Sequence, residues 1–88
     1  YRPTRNSNII RSGLPACVVV VFNPTGKLKP VSFGIELDGL RYRYNIKRIV
    51  VYKESHGCFI FDCEYVDLGR VMQVRLLFNV NQCQWTVG

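Results

Sequence analysis

The sequence predicts a small all-β domain, an antiparallel meander or barrel of six or seven short strands and of SH3-like size. Asp38-Gly39 is flanked by alternating apolar residues, which is the strongest short-range signal for a β-hairpin. β-branched and aromatic runs recur between clusters of turn residues, and no segment keeps a helical period for longer than one turn. The 88 residues suffice for one domain with one modest core.

Residues 1–15 are predicted to form a flexible basic N-terminal arm, and residues 16–88 a single β-barrel domain. The arm is polar and contains Pro and Gly, and residues 6–12 could form one helical turn that ends at Gly13. Residues 16–22 (ACVVVVF) are apolar at every position, which predicts a strand covered on both faces. Residues 23–26 (NPTG) predict a type I or II turn. Pro30 then begins the second strand, where its missing N–H is tolerated.

Asp38 and Gly39 are predicted to form a two-residue type I′ turn, because this turn needs positive φ at both positions. The turn determines which residues face each other across the hairpin. The expected pairs are Leu37–Leu40, Ile35–Tyr42, Phe33–Tyr44 and Val31–Ile46 on the inner face, and Glu36–Arg41, Gly34–Arg43 and Ser32–Asn45 on the outer face.

Beyond Ile46 the alternation is interrupted, which predicts a β-bulge or a sharp bend at Lys47-Arg48. Such a bulge would return Ile49 and Val51 to the inner face and leave Val50 and Tyr52 outside. A bulge also bends the strand, which favours closure of the sheet into a barrel. The loop at residues 54–57 has no predicted register.

The last strands are predicted to form a meander with a common inner face. The first turn lies at residues 67–70 and the second at Val80-Asn81. The first turn predicts the inner pairs Tyr65–Met72, Cys63–Val74, Phe61–Leu76 and Phe59–Phe78, and the outer pairs Asp62–Arg75 and Glu64–Gln73. The second turn predicts the pairs Phe78–Cys83, Leu76–Trp85 and Val74–Val87.

Five short motifs also follow one another along the chain. They are Tyr1-Arg2-Pro3, an Asn-x-x-Gly turn at residues 23–26, Pro30-Val31-Ser32-Phe33, the aromatic and basic residues 41–44, and Cys83-Gln84-Trp85. This combination resembles a family of small, uncharacterised bacterial all-β proteins. The chain departs from that pattern in one respect. Tyr-Arg-Pro is expected immediately before the first strand in the sequence, but here twelve residues separate the motif from Ala16. The resemblance implies a small barrel and no known activity.

The chain is basic, with twelve Lys and Arg against six Asp and Glu, for a net charge of +6. Such an excess attracts polyanions or serves only solubility. Arg41, Arg43, Lys47 and Arg48 are predicted to contact phosphates. The alternating tyrosines, Tyr42 and Tyr44, are expected in the core and therefore not to stack on bases. A nucleic-acid-binding β-barrel is the alternative functional prediction.

An apolar strip is predicted on the outer face of the second hairpin, where Ile60 faces Leu77 and Val66 lies near Val71. Such a strip is typical of a protein interface. It predicts an interaction or assembly module that self-associates, most simply as a homodimer, or that binds a protein partner. The alternative is that the N-terminal arm covers the strip.

The sequence predicts no catalytic or metal site. Asp62 and Glu64 share one face, as a general acid and base would, but Arg75 opposite them predicts an ion pair instead. His56, Cys58 and Cys63 have metal-binding side chains, but in a regular strand the two cysteines point to opposite faces. No Gly-rich phosphate loop is present. We therefore expect a protein that is not an enzyme, with no cofactor and no small-molecule substrate.

Four cysteines occur, at positions 17, 58, 63 and 83, each within a predicted apolar strand. Two disulfides in three connectivities are possible, but positions inside apolar strands favour buried free thiols, which behave as small hydrophobic residues. No secretory signal or membrane span is recognisable in the residues given, although a signal could have been removed. The prediction is a cytoplasmic protein that does not enter a membrane.

Overall fold

A computed structural model describes residues 12–88 and confirms the all-β prediction. Within these residues no helix occurs, and six antiparallel strands close into a small barrel in sequence order. The strands are β1 (Pro15–Phe22), β2 (Leu28–Leu37), β3 (Leu40–Ser55), β4 (Cys58–Asp67), β5 (Arg70–Asn79) and β6 (Gln84–Val87). The Tyr-Arg-Pro motif and most of the possible helical turn at residues 6–12 lie outside the described residues.

Three hairpins use two-residue turns with positive φ at both positions. Asp38-Gly39 has φ values of 52° and 81°, and the turns His56-Gly57 and Leu68-Gly69 have the same pattern. These turns impose the cross-strand registers of β2–β3 and β4–β5. All predicted pairs of these two hairpins are confirmed except Val31–Ile46, because the β2–β3 ladder ends at Ser32–Asn45.

β3 contains the predicted bulge and a second one that was not predicted. The register shifts at Lys47 and again at Val50. Each extra residue reverses the alternation that follows it. Val51 therefore lies opposite Asp62 on the outer face, and Tyr52 lies opposite Phe61 on the inner face. The expectation that Val51 points inward and Tyr52 outward was wrong.

The predicted register of β6 was wrong by two residues. The turn is longer than expected and covers residues 80–83, with Cys83 at φ 53°. The Gln82 N–H donates to the Asn79 side chain across this turn. The predicted pairs Phe78–Cys83, Leu76–Trp85 and Val74–Val87 are replaced by Phe78–Trp85 and Leu76–Val87. Because the register differs by two residues, the same side chains of β6 still point to the inner face. Cys83, however, lies in an exposed turn and not in the strand.

The predicted turn at residues 23–26 is confirmed, and Pro30 lies farther into β2 than expected. Gly26 N–H donates to the Asn23 carbonyl, and the Asn23 side-chain oxygen accepts from the N–H groups of Thr25 and Lys27. β2 begins at Leu28, so Pro30 is its third residue. It stands beside a register shift in the ladder with β1, where a missing donor is tolerated.

The barrel closes through a short seam between β1 and β6. Pro15 pairs with Thr86 and Ala16 with Trp85, and the Val87 N–H donates to the Leu14 carbonyl. Leu14 also packs against the core. β1 therefore begins at Pro15, and Leu14 before it contributes to the core.

The buried core is built from the inner faces of four strands, β2, β4, β5 and β6, and half-buried side chains of β1 and β3 pack against it. Its buried apolar residues are Phe33, Ile35, Phe61, Cys63, Tyr65, Val74, Leu76 and Val87. Tyr44 lies within 5.4 Å of Phe33 and 4.7 Å of Tyr65, measured between ring centroids. Tyr42 and Tyr44 pack against this core, as predicted.

Candidate interaction surfaces

Arg41 and Arg43 lie on one outer face of the β2–β3 hairpin, opposite Glu36 and Gly34. The Arg43 guanidinium lies close to Gly34, since a Cβ built on that glycine would be 3.2 Å from Nη2. Its Nη1 donates to Ser32 Oγ at 2.9 Å, and its Nη2 lies 3.8 Å from Cys17 Sγ. Both partners are neutral, so the positive charge of Arg43 remains available to an anion.

Arg48 differs from the other predicted phosphate contacts because it is bound to a carboxylate. Its Nε donates to Glu64 Oε1 at 2.8 Å. This hydrogen bond lowers the pKa of the Glu64 carboxyl below its ordinary value. Lys47 is exposed at the first bulge. The structure thus places Arg41 and Arg43 together but compensates the charge of Arg48.

A groove of about 780 Å³ runs beside this basic face. It lies between the start of β1 and the β2–β3 hairpin, and Arg41, Arg43 and Glu36 all line it. It is present because β1 pairs with β2 only from Cys17–Gly34 onward. The outer edge of β2 beyond Gly34 therefore borders open space.

The predicted apolar strip on the β4–β5 hairpin is divided into two separate pairs. Ile60 faces Leu77 and Val66 faces Val71, as expected, but the rows Asp62–Arg75 and Glu64–Gln73 lie between them. Six residues of strand place the two pairs roughly 20 Å apart. The strip is therefore not one continuous surface.

The residues between the two apolar pairs form an ion pair that was predicted from the sequence. Arg75 donates to both carboxylate oxygens of Asp62, at 2.6 and 3.2 Å. The hydrogen bond from Arg75 lowers the pKa of Asp62. The ion pair with Arg75 explains why Asp62 lies at this position on the outer face, without a role for its carboxylate in proton transfer.

The outer face of β1 is an apolar surface that the sequence interpretation missed. Val19 and Val21 on this face are 47% and 51% exposed, and Phe22, on the opposite face at the end of the strand, is 64% exposed, so the expectation of a strand covered on both faces was wrong. One edge of residues 17–22 pairs with β2, whereas β6 reaches only Pro15 and Ala16 on the other edge. Within residues 12–88 no strand pairs with that second edge. The sequence did contain a signal for this exposure, because it predicts no helix. An all-β barrel without helices has no layer that could cover its outer face.

A second missed feature is a cleft between the start of β2 and the second half of β3. The two strands stop pairing at Ser32–Asn45, and the space between them has a volume of about 260 Å³. The residues lining this space are Val21, Asn23, Lys27, Leu28, Lys29, Ile49, Tyr52 and Phe61. The second bulge moves Tyr52 into this set, and nothing in the sequence marks that bulge.

The four cysteines are free and lie in different environments. Cys63 is buried and Cys58 half-buried, whereas Cys17 and Cys83 are exposed, contrary to the expectation of buried thiols. Cys58 and Cys63 lie on opposite faces of β4, as the strand period predicted. In the described part of the chain, no group of three or more His, Cys, Asp or Glu residues could hold a metal ion. Nor does any helix among residues 12–88 have the length and apolarity to cross a membrane.

The comparisons with known proteins returned no match to a family model, to a curated protein or to a solved structure. The resemblance to the family of bacterial all-β proteins therefore stays a prediction.

Proposed function

We propose that this protein is a non-enzymatic interaction module that self-associates through the free edge of β1 as a two-fold homodimer. The observation that carries the proposal is the chemistry of residues 17–22. They contain no charged residue and no proline, and Val19, Val21 and Phe22 are about half exposed or more. A free strand edge of this composition is a template for pairing with another strand.

Two other free strand edges, on β3 and β2, are protected by the devices that natural sheets use against such pairing. Beyond Asn45, β3 has two bulges and four charged residues. The free end of β2 beyond Gly34 includes Glu36. Charges and bulges both disfavour edge-to-edge pairing. β1 has neither a charge nor an extra residue of its own at this edge, which distinguishes it from the edges of β2 and β3.

A second copy is the partner that fits this edge best, because an antiparallel strand can pair with itself about a two-fold axis. An axis at Val20 would place Val19 beside Val21 of the second copy, on the exposed outer face. The contact contains no like charges, despite the net charge of +6. Salt should therefore strengthen the dimer by screening the long-range repulsion between copies.

Val19→Lys is expected to weaken the dimer by about tenfold or more, because the substitution places two ammonium groups close to the axis. The measurement is sedimentation equilibrium over a range of concentrations. Val66→Lys is the matched control, since Val66 is 47% exposed, the same fraction as Val19, and lies on the β4–β5 hairpin. It should leave dimerisation unchanged.

Other results would contradict the proposed edge in distinct ways. Loss of the dimer in Val66→Lys alone would place the interface on the β4–β5 hairpin. A wild-type protein that stays monomeric at every concentration would contradict self-association. Repeating the measurement without residues 1–11 then asks whether the N-terminal arm competes for the edge.

Nucleic-acid binding is a second candidate function, favoured by the uncompensated charge of Arg43 next to Arg41. Both side chains lie on the outer face beside the 780 Å³ groove. Ser32 and Cys17, which hold the Arg43 guanidinium, carry no charge that would neutralise it. Exposed cations of this kind bind phosphates with an affinity that falls steeply as salt rises.

The double variant Arg41→Ala/Arg43→Ala is expected to bind single-stranded oligonucleotides about tenfold more weakly, with a salt slope reduced by about 1.4. Fluorescence anisotropy at several salt concentrations measures both quantities. The control is Arg48→Ala/Arg75→Ala, which removes the same net charge from arginines already bound to carboxylates. Equal losses in the two double variants would mean that net charge alone attracts the polyanion.

A further inference from the structure

The cleft between β2 and β3 exposes an aromatic ring, that of Tyr52, to solvent. The tyrosines of the β2–β3 hairpin, Tyr42 and Tyr44, do not expose their rings in this way. After the second bulge, Tyr52 faces Phe61, with ring centroids 5.0 Å apart. Phe61 is buried, whereas Tyr52 is 47% exposed. Tyr42 and Tyr44 pack against the core instead. Tyr52 is therefore the described tyrosine of β3 with the most accessible ring.

The cleft has the size of a site for a single flat ring system. Leu28 and Ile49 contribute apolar walls, and both also pack against the core. Its volume of about 260 Å³ is slightly below the roughly 300–1,000 Å³ typical of sites for drug-sized ligands. A planar aromatic group is the ligand chemistry that suits an apolar cleft with an aromatic wall.

The charges around the cleft favour an anionic ligand. Lys27 and Lys29 line it, and the hydrogen bond from the Lys27 N–H to the Asn23 side chain holds the adjoining turn in place. Glu54 is the acidic neighbour of Tyr52, and burial together with this carboxylate raises the pKa of the Tyr52 phenol. Two ammonium groups against one carboxylate leave the surroundings positive.

We propose that this cleft binds one base of a single-stranded nucleic acid, with the base stacked on Tyr52 and the flanking phosphates held by Lys27 and Lys29. Base stacking on aromatic side chains, together with a basic backbone track, is how sequence-tolerant single-strand binding is achieved. The inference rests on the second candidate function, nucleic-acid binding, and adds Tyr52 as the side chain on which a base stacks. It assigns base contact to a different part of β3 from the phosphate contacts of Arg41 and Arg43.

Tyr52→Leu is expected to weaken binding of a short single-stranded oligonucleotide by about tenfold or more, because stacking on the ring is lost while the cleft stays apolar. Tyr52→Phe keeps the ring and should bind within about twofold of the wild type. Lys29→Gln should lower the salt slope by about 0.7. Lys53→Gln, the same change at a residue outside the cleft, should not. Anisotropy of a labelled oligonucleotide measures all four variants, and circular dichroism verifies that each is folded.

An oligonucleotide of the same length without bases separates stacking from phosphate attraction. It should bind wild type about tenfold more weakly than the intact oligonucleotide, and it should not distinguish Tyr52→Leu from wild type. Occupancy of the cleft can also be followed by fluorescence, because the ring of the single tryptophan, Trp85, lies close to the cleft. Its centroid is 5.8 Å from the ring centroid of Phe61, which lines the cleft. Binding of the intact oligonucleotide should change Trp85 fluorescence.

Each opposing result has a separate meaning. Salt-dependent binding that is equal in Tyr52→Leu and wild type, or equal for oligonucleotides with and without bases, would overturn the cleft while leaving phosphate binding intact. No binding of any oligonucleotide at low salt would refute both the second candidate function and this inference. Competition by a free nucleotide at similar concentrations would show that the same chemistry takes a mononucleotide instead of a strand.

Discussion

Replacing Leu76 by alanine is expected to lower the free energy of unfolding by about 2–5 kcal/mol. Leu76 is fully buried at the centre of β5, with Phe61 opposite it on one side and Val87 on the other. Truncation removes apolar burial and leaves a cavity, which neighbours held in two ladders cannot collapse to fill. Such a loss is a large part of the stability of a domain of this size.

The control for this prediction is Leu77→Ala, the same substitution one residue later. Leu77 lies on the outer face, opposite Ile60, and is only half-buried. Its truncation should cost about 1 kcal/mol or less. Urea unfolding followed by Trp85 fluorescence gives both values. Similar losses at the two positions would mean that the inner and outer faces of β5 had been wrongly assigned.

The two long hairpins were predictable because turn chemistry and hydrophobic alternation specify the same register. Asp38-Gly39 and Leu68-Gly69 both supply positive φ, and the apolar residues on either side of each turn coincide on one face. Where these two signals were not both present, the register between strands was predicted wrongly or not at all. The turn before β6 has Cys83 at positive φ, a conformation that nothing in its sequence indicates.

The second bulge in β3 could not be predicted for a related reason. Residues 49–52 are all apolar or aromatic, so either face could have been the inner one. Only the ladder with β4 determines that Val51 lies opposite Asp62 and Tyr52 opposite Phe61. The same ladder places Arg48 beside Glu64, whereas the sequence offered only Gln73 as the partner of Glu64.

Both surfaces that prediction missed arise where strand pairing stops early. β1 pairs with β6 over two residues, which leaves an uncharged edge free. β2 and β3 separate after Asn45, which opens the cleft next to Tyr52. Sequence patterns report which side of a strand is apolar, but they do not report how far a ladder continues. The candidate sites were therefore hidden even though the strands were found.

Raising the pH from 9 to 12 is expected to destabilise the fold through two buried acidic groups. Burial raises the pKa of the Cys63 thiol from its ordinary 9.0 to about 11, and that of the Tyr65 phenol from 10.0 to about 12. Between its ordinary pKa and its raised pKa, each group stays protonated in the folded protein but is ionised in the unfolded chain. Stabilisation from these shifts is therefore complete below pH 9 and is lost as the pH rises through the folded values.

Urea unfolding at pH 8 and at intervals up to pH 11 measures this loss, and two cysteine variants assign it. Cys63→Ala should show a smaller decline with pH than wild type, because one of the two titrating groups is gone. Cys83→Ala removes an exposed thiol and should keep the full decline. Tyr65→Phe should flatten the part of the decline above pH 10. A free energy of unfolding that stays constant between pH 9 and 11 would show that the Cys63 thiol is accessible to water in the folded barrel.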